Sequence, residues 1–539
     1  MFTKLARIGV GLAAMVLAGT TLALAETSAT PASTTVAQAS PAPAATANPF
    51  SYRGYVRAYD FTRQNAYGGH AANNQQSFNA AISLHGDYQF AQGFDIGASY
   101  LYANPLNNCT TAVSHLSPPC GGYSQSKASP FYNPTGLNPD DTLPGFELST
   151  LYETYLQFKT KDFFLKGGDL VSPGTQVWSP ASDSRLKPAA YQGLYATYAI
   201  NTTFSLEAGD YWQWECRTCS QFDKQTLLTD GNTTYPYPGA AGLSPLYYAP
   251  GKSGINNSGV AFGRVGYTGP KNAPLTANLS YWAFNNIAGL VWLDAKMPFA
   301  GKLKPYVALQ FGSEGNPNNG ILGKISSTVF GLQGGVNVLP NVQIVAGYDT
   351  IPVKTDTLSA AEMASGGVAC SKTGTVGLAP GAKAYNVNFP YFLPTGGTGN
   401  CKLNADGSTS IYYGGLASPY TDSYATDPLY TTELTQGMVD RRSPGNSFKL
   451  QATFTSDDKR LVAYINHAWY DYNNGAYANS TTETDFDAMY YFQHMPKSGP
   501  YHGFSFRYRY GERDQSPIFT GASGTALFKY NRFMAEYDF

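Results

Sequence analysis

Residues 78–90 read FNAAISLHGDYQF. Even positions carry Phe78, Ala80, Ile82, Leu84, Gly86, Tyr88 and Phe90; odd positions carry Asn79, Ala81, Ser83, His85, Asp87 and Gln89. One face is apolar and the other mostly polar, the period of two that marks a strand between unlike surroundings. After a tight turn near Gln92-Gly93, Phe94, Ile96, Ala98, Tyr100 and Tyr102 repeat the pattern. It recurs in Phe448, Leu450, Ala452 and Phe454, in Phe486, Ala488, Tyr490 and Phe492, and in Phe504, Phe506, Tyr508 and Tyr510. At 152–158, Tyr152, Thr154, Leu156 and Phe158 are read as one face, with Glu153, Tyr155 and Gln157 on the other.

A soluble sandwich alternates too, so the connections decide. Short ones fall near 91–93, 160–162, 201–203, 269–273, 300–302, 339–341, 455–458 and 495–500. Longer ones fall near 62–76, 103–145, 170–188, 215–256, 285–288, 313–324, 353–445, 472–481 and 512–523. Short turns at one end and long loops at the other are the arrangement of a transmembrane antiparallel β-barrel. Eight turns and nine loops join eighteen strands. They are placed at 50–61, 77–90, 93–102, 146–159, 163–169, 189–199, 204–214, 257–268, 274–284, 289–299, 303–312, 325–338, 342–352, 446–455, 459–471, 482–494, 501–511 and 524–539. The 353–445 stretch is too long for a plain loop. A hairpin around Tyr412–Gly415 and Tyr430–Leu434 makes twenty strands the alternative. In lipid every backbone polar group needs an internal partner, which a closed sheet supplies. A circumference of this size leaves an aqueous lumen, so inward polar residues are expected to line water.

The rest of the composition agrees. The chain has 539 residues, 35 Lys+Arg against 36 Asp+Glu, a formal charge of -1 and 41 Tyr. That balance provides no basic stripe for nucleic acid. Residues 1–25, with Lys4 and Arg7 before an apolar run and Ala23-Leu24-Ala25 at the end, read as a signal peptide. Residues 26–48 are nearly all Ala, Ser, Thr and Pro and read as a disordered leader, too short for a plug domain; 49–539 is the barrel. Aromatics gather at strand ends as a girdle does. The last strand places Leu527, Phe533, Ala535, Tyr537 and Phe539 on one face, and a terminal Phe539 resembles the signal read by barrel-assembly machinery.

Six cysteines pair within loops as Cys109–Cys120, Cys216–Cys219 and Cys370–Cys401, three local disulfides in an oxidising compartment. The Cys216-x-x-Cys219 spacing also admits a redox or metal role, but no second pair completes a zinc site and no haem-attachment His follows. No cofactor or metal is expected.

The polar face suggests what the lumen selects. Arg53 and Arg57 share a face of the first strand, Arg507 and Arg509 a face of the penultimate one, and Arg532 the inner face of the last. Closure sets the first strand beside the last, so these five form one basic wall able to hand on an anionic group. Asp87, Glu153, Glu207, Asp485 and Asp487 are expected as an opposing acidic patch. Segment 168–193 is the constriction candidate, with Asp169, Asp183, Arg185 and Lys187 supplying charge.

Gly168, Pro173, Ser184-Arg185-Leu186-Lys187-Pro188 and Gly193 resemble a stretch of the OprD family of outer-membrane substrate-specific porins. Glu483, Asp485 and Asp487, then Gly503-Phe504-Ser505-Phe506-Arg507-Tyr508-Arg509 and the Arg532–Tyr537 end, resemble it as well. The resemblance implies an eighteen-strand monomeric barrel, an inward-folded third loop around Arg185 and an arginine ladder guiding carboxylates, with Arg507 and Arg509 in its basic wall. A porin in the outer membrane of a Gram-negative bacterium follows. Its partners would be lipid and lipopolysaccharide, the assembly machinery, and small anionic or zwitterionic solutes such as carboxylates or amino acids. A looser resemblance to the alginate exporter implies a polysaccharide export channel as the alternative. A non-conducting adhesive barrel is the other. An enzyme is not expected, because none of His70, His85, His115, His467, His494 and His502 stands in a recognisable Ser/Asp setting.

Overall fold

The computed structural model describes residues 49–64, 75–106, 147–181, 185–215, 217, 219–222, 224, 259–316, 325–362, 368–370, 376–378, 401–421, 426–441, 444–473, 478–494, 501–514 and 527–539. The signal peptide and leader lie outside them.

Thirteen strands come first: β1 (Phe50–Gln64), β2 (Gln75–Ala91), β3 (Phe94–Pro105), β4 (Leu148–Lys159), β5 (Phe163–Leu170), β6 (Ala190–Ala199), β7 (Phe204–Glu215), β8 (Val260–Thr268), β9 (Thr276–Phe284), β10 (Ala288–Pro298), β11 (Tyr306–Gly315), β12 (Ser326–Leu339) and β13 (Val342–Ile351). Five short strands follow: β14 (Lys354–Leu358), β15 (Val368–Cys370), β16 (Val376–Leu378), β17 (Cys401–Leu403) and β18 (Thr409–Tyr413). The last five are β19 (Gly445–Thr455), β20 (Leu461–Asn473), β21 (Ala478–Tyr491), β22 (Gly503–Arg513) and β23 (Phe528–Asp538).

β1–β13 and β19–β23 form one eighteen-stranded sheet. Each strand pairs antiparallel with its chain neighbour, β13 with β19, and β1 closes the ring on β23 from Tyr55↔Asp538 to Gln64↔Lys529. The expected strand count is therefore the observed one. The twenty-strand alternative is not: β18 pairs with β14 and β17 in a separate three-stranded sheet, and 430–434 forms no strand.

Alternation decides which side meets what. On β2, Ile82, Leu84, Tyr88 and Phe90 stand exposed on the outer face while Ala81, Ser83 and His85 are buried within. Leu84 is 47% and Leu156 51% exposed, values that suit contact with hydrocarbon far better than with water. The short-turn rim carries an aromatic band. Phe90, Phe94 and Phe158 follow one another at centroid spacings of 6.0 and 4.5 Å, and Phe504 meets Tyr537 at 5.2 Å. Toward the loops, ring hydroxyls find partners on neighbouring strands, as Tyr100 does at Ser149 (2.7 Å) and Tyr348 at Asn446 (2.9 Å).

One parity reading is corrected. Tyr152 is not on the outer face with Leu156; it is buried inside beside Glu153. Ser99 pairs with Glu153 and Tyr100 with Leu151, so Tyr152 is the extra residue of a bulge that reverses the alternation. A second expectation also fails. Much of the inward polar face is buried, Arg57, Arg185, Lys187, Glu153, Asp485, Asp487, Arg509 and Arg532 included. Two chain segments fold into the barrel and cover it.

Phe539 exchanges both backbone bonds with Gly54, each at 3.0 Å, and a Cβ on Gly54 would lie 2.8 Å from the Phe539 ring. Gly54→Val should therefore lower the temperature at which the detergent-solubilised barrel opens, read as heat-modified gel mobility. Val56→Ile, on the same face of β1, should leave it unchanged.

Candidate functional site: the lumen and its two inward segments

The first inward segment, described over 171–181 and 185–189, leaves β5 through the turn that Gln176 N closes on the Pro173 carbonyl (2.9 Å). Proline and glycine make that departure cheap. Trp178 packs edge-on against Trp292 of β10 at 5.0 Å, and Thr175 and Gln176 donate to Glu207 of β7 at 3.0 and 2.8 Å. The far end crosses to β1, where the Arg185 carbonyl accepts from Arg57 (2.7 Å) and the Leu186 carbonyl from Tyr55 (2.6 Å). Lys187 and Glu215 pair at 2.9 Å, both buried, and Thr150 adds a 2.9 Å bond to the same carboxylate. Leu186 joins a cluster with Tyr59, Phe61, Tyr152 and Tyr530.

The five arginines of the expected wall lie on three adjacent strands, β22, β23 and β1. Arg509 and Arg532 are direct register partners, and Arg185 stands 5.0 Å over the Phe61 ring, as does Arg532. Two guanidinium groups thus share one aromatic ring, the kind of contact Arg makes and Lys makes less well. Arg53 alone of the five is open, with 58% of its side chain exposed and Asp87 at 3.9 Å.

The acids are distributed differently from a facing patch. Asp487 binds Arg507 and Arg509, each at 2.7 Å, and Glu536 pairs with Arg57, so these carboxylates stand within the basic wall. Asp485 accepts the Leu434 amide (2.9 Å). Glu153 binds Lys166 (3.0 Å) and the Val171 amide (3.0 Å), and Glu207 binds Arg264 (2.9 Å). Nine strands round the ring from β1 lies β10, whose inward Asp294, with Glu314 of β11, stands across from the arginines. Asp169 does not enter the constriction. It shares a face of β5 with exposed Leu165 and accepts from Thr154 (2.6 Å) and Gln192 (3.0 Å), whose carbonyl takes the bond of exposed Trp212. Asp183 lies outside the described residues, as do Cys109, Cys120 and Cys216. Cys219 is disulfide-bonded, and the strands holding Cys370 and Cys401 touch.

Sequence reasoning missed Glu536 and Arg513, although parity with Arg532 and with Arg507 and Arg509 assigns both to the inner face. It also missed a Ser/His/Asp chain. His85 Nδ1 meets Ser99 at 2.6 Å and Nε2 meets Asp87 at 2.8 Å. The polarity is wrong for nucleophilic catalysis: Ser99 donates its one proton to Glu153 (2.6 Å), so its oxygen accepts from the imidazole.

The second inward segment, described over 414–421 and 426–441, was not foreseen. Leu416, Ala417, Tyr420, Leu429, Tyr430, Leu434, Met438 and Val439 are all buried. Tyr420 reaches Tyr191, Trp214 and Phe284 at 5.8, 5.9 and 6.2 Å, and Ala417 N donates to Glu314 (2.5 Å). Leu434 belongs to the cluster that holds Leu186, so both segments contribute to one buried cluster beside the arginine wall. Among the described residues, no group of three or more His, Cys, Asp or Glu is arranged to hold a metal ion.

No family model and no curated protein matches this sequence. By structure the chain is similar to solved barrels. OccK9 (OpdG) of Pseudomonas aeruginosa is 14% identical, with a TM-score of 0.57 over 91% of this chain and 98% of that one. A BenF-like porin of Pseudomonas fluorescens Pf-5 is 11% identical, TM-score 0.58, over the same shares. Pseudomonas aeruginosa OpdK, solved with vanillate, is 10% identical, TM-score 0.56, again over 91% and 98%. The class the fold defines is thus a closed eighteen-stranded antiparallel barrel. Within it the chain shares its fold with the Occ and BenF-like channels.

Two outcomes follow from the buried charges. Lys187→Met leaves Glu215 buried with only Thr150, which should cost about 3–5 kcal/mol. The third loop should loosen, read as faster amide exchange at 185–190, with barrel melting unchanged. Glu433 lies in the second segment, and burial, opposed by Lys449, pushes its carboxyl up to about 7 from 4.5. A raised carboxyl favours the buried form at low pH and loses that favour as pH climbs through 7. Exchange at Leu429–Val439, corrected for intrinsic rates, should quicken between pH 5 and 8, and Glu433→Gln should flatten that rise.

Proposed function

We propose that the protein is an outer-membrane porin of the OprD type, passing small hydrophilic solutes that carry a carboxylate. The observation that carries this reading is the gathering of Arg57, Arg185, Arg507, Arg509 and Arg532 on one side of a closed barrel, with Arg53 open below them. Fixed guanidinium groups concentrate anions and can pass a carboxylate between bidentate contacts. Asp294 on the far wall gives the field a direction across the lumen, so a zwitterion such as an amino acid would orient with its carboxylate toward the arginines. OpdK has been solved with vanillate and OccK2 (OpdF) of Pseudomonas aeruginosa in complex with glucuronate, both carboxylates. The exposed outer face favours lipid and lipopolysaccharide as its surroundings, and Phe539 at the β1–β23 seam is the residue offered to the assembly machinery. The barrel is read as a monomer without a cofactor. The two buried inward segments weigh against export of a polymer, which needs a continuous wide bore.

Reversal potential in planar bilayers under a salt gradient tests the reading. Wild type should prefer anions, and neutralising Arg53, Arg57, Arg507 and Arg509 together should abolish the preference. Anion preference that survives their loss would remove the arginine wall from selectivity. Absence of current from wild type and from this variant alike would favour an adhesive or structural barrel.

A further inference from the structure

The second inward segment ends in a turn whose sequence is Thr431-Thr432-Glu433-Leu434-Thr435-Gln436. Glu433 N closes it on the Gln436 carbonyl at 2.8 Å. Five of its six side chains are polar, so apolar packing is not what seats it. The barrel wall binds its backbone from five strands. Asp349 of β13 accepts the Thr431 amide and hydroxyl, both at 2.7 Å. Lys449 of β19 donates to the Thr432 carbonyl (2.9 Å). Tyr470 of β20 donates to the Thr431 carbonyl. On β21, Asp485 accepts the Leu434 amide (2.9 Å), and Glu483 accepts the Thr435 amide (2.8 Å) and hydroxyl (2.7 Å). Arg513 of β22 donates to the Thr435 carbonyl at 2.7 Å.

This is a socket that treats a piece of the chain as a ligand. Each wall group it uses can exchange the turn for water or for a solute with little net change in hydrogen bonding. The wall is shaped for the occupant as well: a Cβ at Gly347 would come within 3.1 Å of Tyr430, the residue before the turn. Leu434 is the turn's one apolar residue, and it belongs to the buried cluster that also holds Leu186 of the third loop and Phe61 of β1. Removing the turn would therefore end the bonds of Lys449 and Arg513 to its carbonyls and lift one of the covers from the buried arginines.

We propose that the Thr431–Gln436 turn is a gate, latched to the wall by Asp349, Glu483 and Asp485, and that solute passage requires it to leave this socket. The inference rests on the reading of the barrel as a channel. Passage then needs no movement of the barrel strands; one loop segment trades its backbone contacts for those of water and solute.

Single-channel recording in planar bilayers tests this with two variants of the full-length protein, both checked for intact barrels by heat-modified mobility. Glu483→Leu with Asp485→Leu removes from the wall both acceptors of the turn's Leu434 and Thr435 amides. Thr435→Pro removes one bound amide and one hydroxyl from the turn and leaves every strand untouched. Either should raise the fraction of time spent at the larger conductance level by about tenfold or more, the scale of one lost buried hydrogen bond. Open-level occupancy equal to wild type in both variants would overturn the gate and make the turn a fixed part of the wall. A third variant with 427–437 replaced by a Gly-Ser linker separates the two failures. If it conducts while the others match wild type, the gate alone falls; if it too carries no current, the channel reading falls with it.

Discussion

The pairing of β1 with β23 is the constraint on which everything else depends. A sheet of eighteen strands with free edges would expose two rows of unpaired N–H and C=O groups to lipid, where nothing satisfies them. Closing the ring removes both edges at once. It also creates the interior, because every residue of one parity must then face inward whatever its chemistry. Arg57, Arg532 and Arg509 become neighbours through that closure, although the first is separated from the others by most of the chain.

An interior of this width cannot be filled by strand side chains alone. Here loops fill much of it. The third loop crosses from β5 to β1 under Arg57, and the long connection between β13 and β19 returns a second segment to meet it. Charged wall residues that would otherwise be hydrated are instead spent on holding backbone. Glu153 takes an amide of the third loop, while Asp349, Glu483 and Asp485 take amides of the second segment. The wall is thus a scaffold for the segments that cover it, its carboxylates holding their backbone beside the arginines.

Much of the barrel was legible because alternation along a strand is a local property. The strand count, the closure and the inward parity of Arg53, Arg57, Arg507, Arg509 and Arg532 all follow from counting in twos. What escaped is what alternation does not encode. The Tyr152 bulge reverses parity within one strand, and only the register with β3 reveals it. Asp169 sits where β5 is still a strand, so it faces outward with Leu165 rather than into the constriction. The 414–441 segment carries no periodic signal, since its partners are wall residues contributed by many strands. A loop's course through a barrel depends on such distant contacts, which no window of sequence contains.

The most direct test of the account is a scan of single cysteines along β22, each carrying a fluorophore, in vesicles containing a lipid-phase quencher. Positions 504, 506 and 508 should be strongly quenched and positions 505, 507 and 511 weakly, in strict alternation. Equal quenching at both parities, or strong quenching at Arg507 and weak quenching at Phe506, would contradict a barrel with lipid outside and a polar lumen within.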